Sequence, residues 1–121
     1  MSDGEEKPDG FSFAGIVAGL KDSKKKDLAL ILAPKNSICT GLFTQSTVRA
    51  SCVDICEQRI KKSSGQIRAI LINSGQANAC TGDFGTQHTL IATKEVSQLL
   101  GINEEEVLMC STGVIGVPIQ I

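Results

Sequence analysis

The sequence predicts an α/β domain, a sheet with helices packed on one face. Three observations predict it. Short apolar runs at 27–32, 69–72 and 107–110 have the length of buried strands. Two longer stretches, opening at Ser51 and Thr86, carry apolar residues at helical spacing. Clusters of Gly, Ser, Asn and Pro separate the two kinds of segment. The chain of 121 residues is long enough for one modest domain with a core. With four Phe and neither Trp nor Tyr, that core must be aliphatic.

Residues 1–10 are acidic and polar and read as a flexible N-terminal segment, unlike an Arg-rich transit peptide. Residues 11–20 are small and apolar, with Gly15 and Gly19 interspersed, which suggests a strand with close backbone packing or a bulge. The Gly15-x-x-x-Gly19-Leu20-Lys21 spacing is wrong for a phosphate loop, and no Ser or Thr follows the Lys. The nearly continuous apolar run 27–32 suits a strand covered on both faces. The 33–37 turn, with Pro34 and Asn36, then leads to a second apolar run at 38–44. The short connection predicts an antiparallel hairpin.

Ser51 is placed to cap a helix, with Asp54 three residues on completing a box-like pattern. Val53, Cys56 and Ile60 share a face of that helix. Arg59, Lys61 and Lys62 form a solvated basic end suited to the helix dipole. In the helix at 86–100, Ala92, Val96, Leu99 and Leu100 follow a helical stripe. Gly101 is its expected C′ residue, with Ile102 making the apolar contact beyond it. Asn103 is placed to cap the acidic turn Glu104-Glu105-Glu106.

Composition excludes several functions. Scarce aromatics and a net charge of −1 argue against nucleic-acid binding. No apolar run is long enough to span a membrane. The odd set Cys39, Cys52, Cys56, Cys80 and Cys110, without a secretory leader, reads as free thiols in a reducing, cytoplasmic setting. Cys52-x-x-x-Cys56 lacks a matching second half and His88 has no partner histidine, so no metal site is expected. With no nucleophile or orienting acid beside it, His88 reads as a surface or partly packed residue.

Two strand ends carry candidate chemistry. The run 107–110 delivers into Ser111-Thr112-Gly113, a compact set of hydroxyl and main-chain donors. Donors fixed on a rigid strand can stabilise a developing oxyanion. The same residues also make an ordinary turn. The run 69–72 delivers into Asn73-Ser74-Gly75-Gln76-Ala77-Asn78-Ala79-Cys80-Thr81-Gly82. This is either a loop for a ligand's polar groups or one satisfied by its own side chains.

Five blocks in order, spanning about residues 10–116, resemble the glutamate N-acetyltransferase (ornithine acetyltransferase) family of arginine biosynthesis. They are Ala14-Gly15-Ile16 with Gly19-Leu20-Lys21; Lys26-Asp27-Leu28-Ala29-Leu30-Ile31; Gly41-Leu42-Phe43-Thr44-Gln45; the loop from Asn73 to Gly82; and Ser111-Thr112-Gly113-Val114-Ile115-Gly116. The resemblance implies an N-terminal-nucleophile-hydrolase-like α/β/β/α body, of which residues 11–121 form the N-terminal part of the α chain. It implies autocatalytic cleavage of a precursor, and a Thr at the start of the β chain that carries acetyl from N-acetylornithine to glutamate. By the same resemblance, Thr112 and Gly113 form the oxyanion hole. Acetyl-CoA serves some members as co-substrate, no metal or prosthetic group is needed, and the assembly is α2β2.

The family's Ala-Thr-Met-Leu segment, whose Thr is the nucleophile, is absent from these residues. The chain therefore reads as a piece inactive without its β chain. Ser111, Thr81 and Cys80 are the conceivable substitutes, but none has a visible general base nearby. Rival readings are an amidase or aminopeptidase on a related self-cleaving fold, and a non-catalytic module binding a small ligand.

Overall fold

The computed structural model describes residues 7–18, 25–47, 49–74 and 82–112. They form β1 (Ser12–Ile16), β2 (Leu28–Leu32), α1 (Ser51–Lys62), β3 (Ala69–Asn73), α2 (Gly82–Leu100) and β4 (Val107–Ser111). The strands make one sheet in the order β1-β2-β3-β4, antiparallel except for the parallel pair β3–β4. A parallel pair needs a crossover, and α2 lies on it. The α/β class, both buried strands at 69–73 and 107–111, and both helices follow the sequence pattern. Most of the expected N-terminal loose end, residues 1–6, lies outside the described residues, as do Gly19, Leu20 and Lys21.

The expected hairpin is not formed. Residues 38–44 contribute only an isolated bridge, Ile38 to Gln66, and Leu42 is fully exposed. The reason is competition: both edges of β2 are taken, by β1 on one side and β3 on the other. The residues of β2 are all half-buried rather than fully covered.

Buried residues fall into two clusters. One joins Cys52 and Met109 with Leu71 and Ala92, the other Cys56, Ile67 and Leu108 with Ile70, Phe43 and Ile60. Leu71 is opposite Met109 and Ile70 opposite Leu108. Successive strand residues point to opposite faces, so the clusters lie on the two sides of the sheet. Because α1 contributes to both, it runs along the outer edge of β4. There it covers main-chain groups that an edge strand leaves unpaired. Arg59 Nη1 donates to the Val107 carbonyl at 2.8 Å. The Cys56 thiol donates to the Met109 carbonyl at 3.3 Å and accepts from the Met109 N–H at 3.4 Å.

This placement corrects three expectations for α1. The most fully buried residues are Cys52, Ile55, Cys56 and Arg59, while of the expected Val53, Cys56 and Ile60 the two outer ones are only half-buried against the core. Arg59 is buried against β4 and paired with Glu104 at 3.3 Å, not part of a solvated end. The cap position is Ala50, with no side-chain cap hydrogen bond, and Ser51 is already helical. Arg49 braces the first turn instead, through Asp54 and Glu57.

The helix α2 begins earlier than expected, at Gly82, and its buried face is Thr89, Thr93 and Ser97. Leu99, expected in the buried stripe, is 86% exposed. Small hydroxyl residues can bond back within the helix and leave only compact apolar surface facing outward. Thr89 Oγ1 donates to Gly85 O at 2.9 Å and Thr93 Oγ1 to Thr89 O at 2.8 Å. As expected, the helix ends at Gly101 in the left-handed region, φ +67°, with Ile102 N–H donating to Ser97 O at 3.0 Å. The acidic turn Glu104–Glu106 is a 3₁₀ helix closed by Asn103 N–H donating to Glu106 Oε1 at 3.1 Å.

Candidate active site at one end of the sheet

The strand pairing brings the two sequence-nominated strand ends together. Ile16, Leu28, Asn73 and Ser111 form one row across all four strands. Ser74 and Thr112, the residues that follow β3 and β4, therefore lie at the same end of the sheet. Parallel strands make this unavoidable, because both point their C-terminal ends the same way.

Thr112 is exposed just past β4, and its N–H donates to the Asn73 carbonyl at 3.1 Å. That main-chain donor is therefore already engaged, and the hydroxyl is the group Thr112 can offer a ligand. Ser111 is half-buried in the strand. Gly113, the other nominated oxyanion donor, lies outside the described residues, as do residues 75–81 of the polar loop, with Cys80 and Thr81. His88 is half-buried on α2.

A residue the sequence reading passed over sits at this same end. Asp27, the first residue of the 27–32 run, immediately precedes β2 and is 2% exposed. Its Oδ1 accepts from Ala18 N–H at 2.6 Å, and its carbonyl accepts from Ser74 N–H at 2.9 Å. The signal in the sequence was an acid leading directly into an apolar run. A cleft of about 340 Å³ lies over β1 and β2 and reaches Lys26, Asp27, Ile72 and Ser74. A larger cleft of about 520 Å³ beside α1 is lined by Arg59, Lys62, Glu104 and Glu105. Its charges pair with one another, Lys62 with Glu105 at 2.7 Å and Arg59 with Glu104.

Burial pushes the Cys56 thiol up to about 11 and raises Cys52 in the same direction, so both rest as neutral thiols. Neither is an activated nucleophile. Among the described residues no group of three or more His, Cys, Asp or Glu is arranged to hold a metal, and no helix is long and apolar enough to cross a membrane.

Comparison with known proteins agrees with the resemblance. The ArgJ family profile matches residues 12–121. The arginine biosynthesis bifunctional protein ArgJ of Prochlorococcus marinus subsp. pastoris is 92% identical over 121 residues, covering all of this chain and 30% of the relative. That of Caldanaerobacter subterraneus subsp. tengcongensis is 48% identical over 114 residues, covering 94% and 28%. The crystal structure of the Bacillus halodurans protein superposes with a TM-score of 0.86 at 33% identity, covering 92% of this chain and 57% of that one. The Mycobacterium tuberculosis ornithine acetyltransferase, solved with ornithine, superposes with a TM-score of 0.86 at 37% identity, covering 93% and 60%. The chain spans about 30% of the length of the first curated relatives it matches, at their N-terminal end. With a family match over nearly its whole length and the fold of two solved relatives, the chain belongs to the ArgJ family.

Proposed function

We propose that this chain is the N-terminal part of the α chain of a glutamate N-acetyltransferase, and that it supplies the oxyanion hole for acetyl transfer from N-acetylornithine to glutamate. The observation that carries the reading is Thr112. Its hydroxyl is exposed at the tip of a strand anchored on one side by β3 and on the other by α1, beside the start of the polar loop. A donor held this way needs no reorganisation when negative charge develops.

In the proposed reaction the hydroxyl of a β-chain Thr, made available by autocatalytic cleavage, attacks the acetyl carbonyl of N-acetylornithine. The carbonyl oxygen becomes an oxyanion facing the Thr112 hydroxyl and the Gly113 N–H. Collapse breaks the C–N bond, the ornithine amine leaves with a proton, and the acetyl ester remains on the β-chain Thr. The glutamate amine attacks that ester through a second oxyanion at the same donors, releasing N-acetylglutamate and restoring the Thr. Acetyl-CoA enters, where it is used, as an alternative acetyl donor. The reaction invokes no metal or prosthetic group, the assembly is an α2β2 tetramer, and the setting is the cytoplasm. The Ala-Thr-Met-Leu segment is not among these residues, so transfer depends on the β chain.

The test is an assay of the complete enzyme with N-acetylornithine, with and without glutamate. Glutamate-dependent release of ornithine with formation of N-acetylglutamate is expected. Release of free acetate at the same rate in both arms identifies an amidase and overturns the reading.

A further inference from the structure

We propose that Asp27 is a positioning residue of the acyl-transfer site, fixing the end of the sheet from which Ser74 and Thr112 project; this rests on the acetyl-transfer reading above. Among the described residues Asp27 is the carboxylate that is buried, at 2% exposure. Burying a carboxylate is costly unless strong hydrogen bonds compensate. Its Oδ1 accepts the Ala18 N–H at 2.6 Å, a short charge-assisted contact across the connection from β1 to β2. Its own N–H donates to Ile16 O at 3.0 Å. Side chain and main chain together thus tie Asp27 to Ile16 and Ala18 at the end of β1.

From there the ties run straight to the site. The Asp27 carbonyl holds the Ser74 N–H at 2.9 Å, and the Asn73 carbonyl holds the Thr112 N–H at 3.1 Å. Asn73 is itself 1% exposed and pairs in register with Leu28 and Ser111. Two main-chain hydrogen bonds and one row of paired residues therefore link Asp27 to Thr112. Such a bond can form only where the ladder leaves main-chain N–H groups free, at one end or the other of the pairing. This one sits at the end where the candidate donors emerge, and the cleft over β1 and β2 reaches it together with Ser74. A misplacement of about 1 Å in such an array can cost on the order of a hundredfold in rate.

The experiment uses the complete enzyme and compares wild type with Asp27→Ser, Asp27→Glu and Asp27→Asn, and with Ile67→Val as a core control distant from the site. The rate of acetyl-enzyme formation, KM and Tm are measured for each. Asp27→Ser and Asp27→Glu are expected to slow acetylation about tenfold or more, with KM changed less than about threefold, as loss of donor placement would. Asp27→Asn keeps an acceptor in place and recovers most of that loss. Ile67→Val lowers Tm without slowing the reaction. A folded Asp27→Ser or Asp27→Glu enzyme with the wild-type rate overturns the proposal, as does a rate that merely follows Tm across the whole set. Should Asp27→Ser fail to fold, Asp27→Glu decides. The wild-type arm tests the parent reading separately: an enzyme that acetylates glutamate but is indifferent to Asp27 defeats this proposal alone.

Discussion

The thiol of Cys56 closes a two-way hydrogen bond with the main chain of Met109, donating to its carbonyl at 3.3 Å and accepting from its N–H at 3.4 Å. A helix side chain here takes the place of a neighbouring strand. With Arg59 bonded two residues away at Val107, α1 seals the outer edge of the strand that presents Thr112.

Removing that seal has a predictable cost. Cys56→Ala leaves a buried N–H and a buried carbonyl without their thiol partner. It is expected to destabilise the protein by about 1–3 kcal/mol, the usual penalty for unsatisfied buried groups. Cys56→Ser keeps a donor and an acceptor and is expected to cost less. Urea denaturation of the two variants measures the difference; equal midpoints would show that the bonds contribute little.

The same thiol makes stability depend on pH. Burial raises Cys56 from the ordinary value near 9 to about 11, with Cys52 raised as well. As pH climbs past 9, the unfolded chain loses the thiol proton while the folded chain retains it. The unfolded state then binds fewer protons, and stability falls with rising pH. The contribution is fully present below about pH 9 and is lost by about pH 11. Denaturation midpoints across that window are expected to decline, and to decline less steeply in Cys56→Ser.

Two glycines with positive φ should differ in their tolerance of Ala. Gly101, at φ +67°, has open space where a Cβ would sit. Gly101→Ala is therefore expected to cost only the backbone term, about 1–2 kcal/mol. Gly65, at φ +81°, would place a Cβ 2.7 Å from the Cys39 carbonyl oxygen, and Cys39 N–H in turn donates to the Gly65 carbonyl at 2.6 Å. Gly65→Ala should cost clearly more, since a main-chain contact has to give way. Thermal melts of the two variants rank them.

For the complete enzyme, Thr112→Ala is expected to slow acetyl transfer by on the order of 10² or more, as loss of one oxyanion donor does. Because the Thr112 main-chain N–H is held by Asn73, the substitution removes the hydroxyl without freeing a replacement donor. Thr112→Ser should retain much of the rate. Stopped-flow acetylation kinetics separate these outcomes, and an unchanged rate in Thr112→Ala would remove this residue from the mechanism.

The strands at 69–73 and 107–111 and the stop at Gly101 were legible because each rests on a local property: run length, apolar density, or tolerance of positive φ. The run at 38–44 looked equally strand-like, yet its expected hairpin partner β2 already pairs on both sides. Periodicity was right for α2 only in part. Ala92 packs in the core and Val96 and Leu100 are half-buried, but Leu99 is exposed, and close packing against α1 and β4 buried the small hydroxyl residues Thr89, Thr93 and Ser97 most fully.

By itself, then, the sequence determined the α/β class, the family, and the two strand ends that hold the candidate chemistry, since each is written in contiguous residues. Only the tertiary structure decided that those ends lie in one row, that Arg59 and Cys56 seal β4, and that Asp27 is buried beside Ser74. Such facts depend on which strand edges meet and which charges lose their water. Both are set by contacts between segments far apart in the chain, which no local pattern encodes.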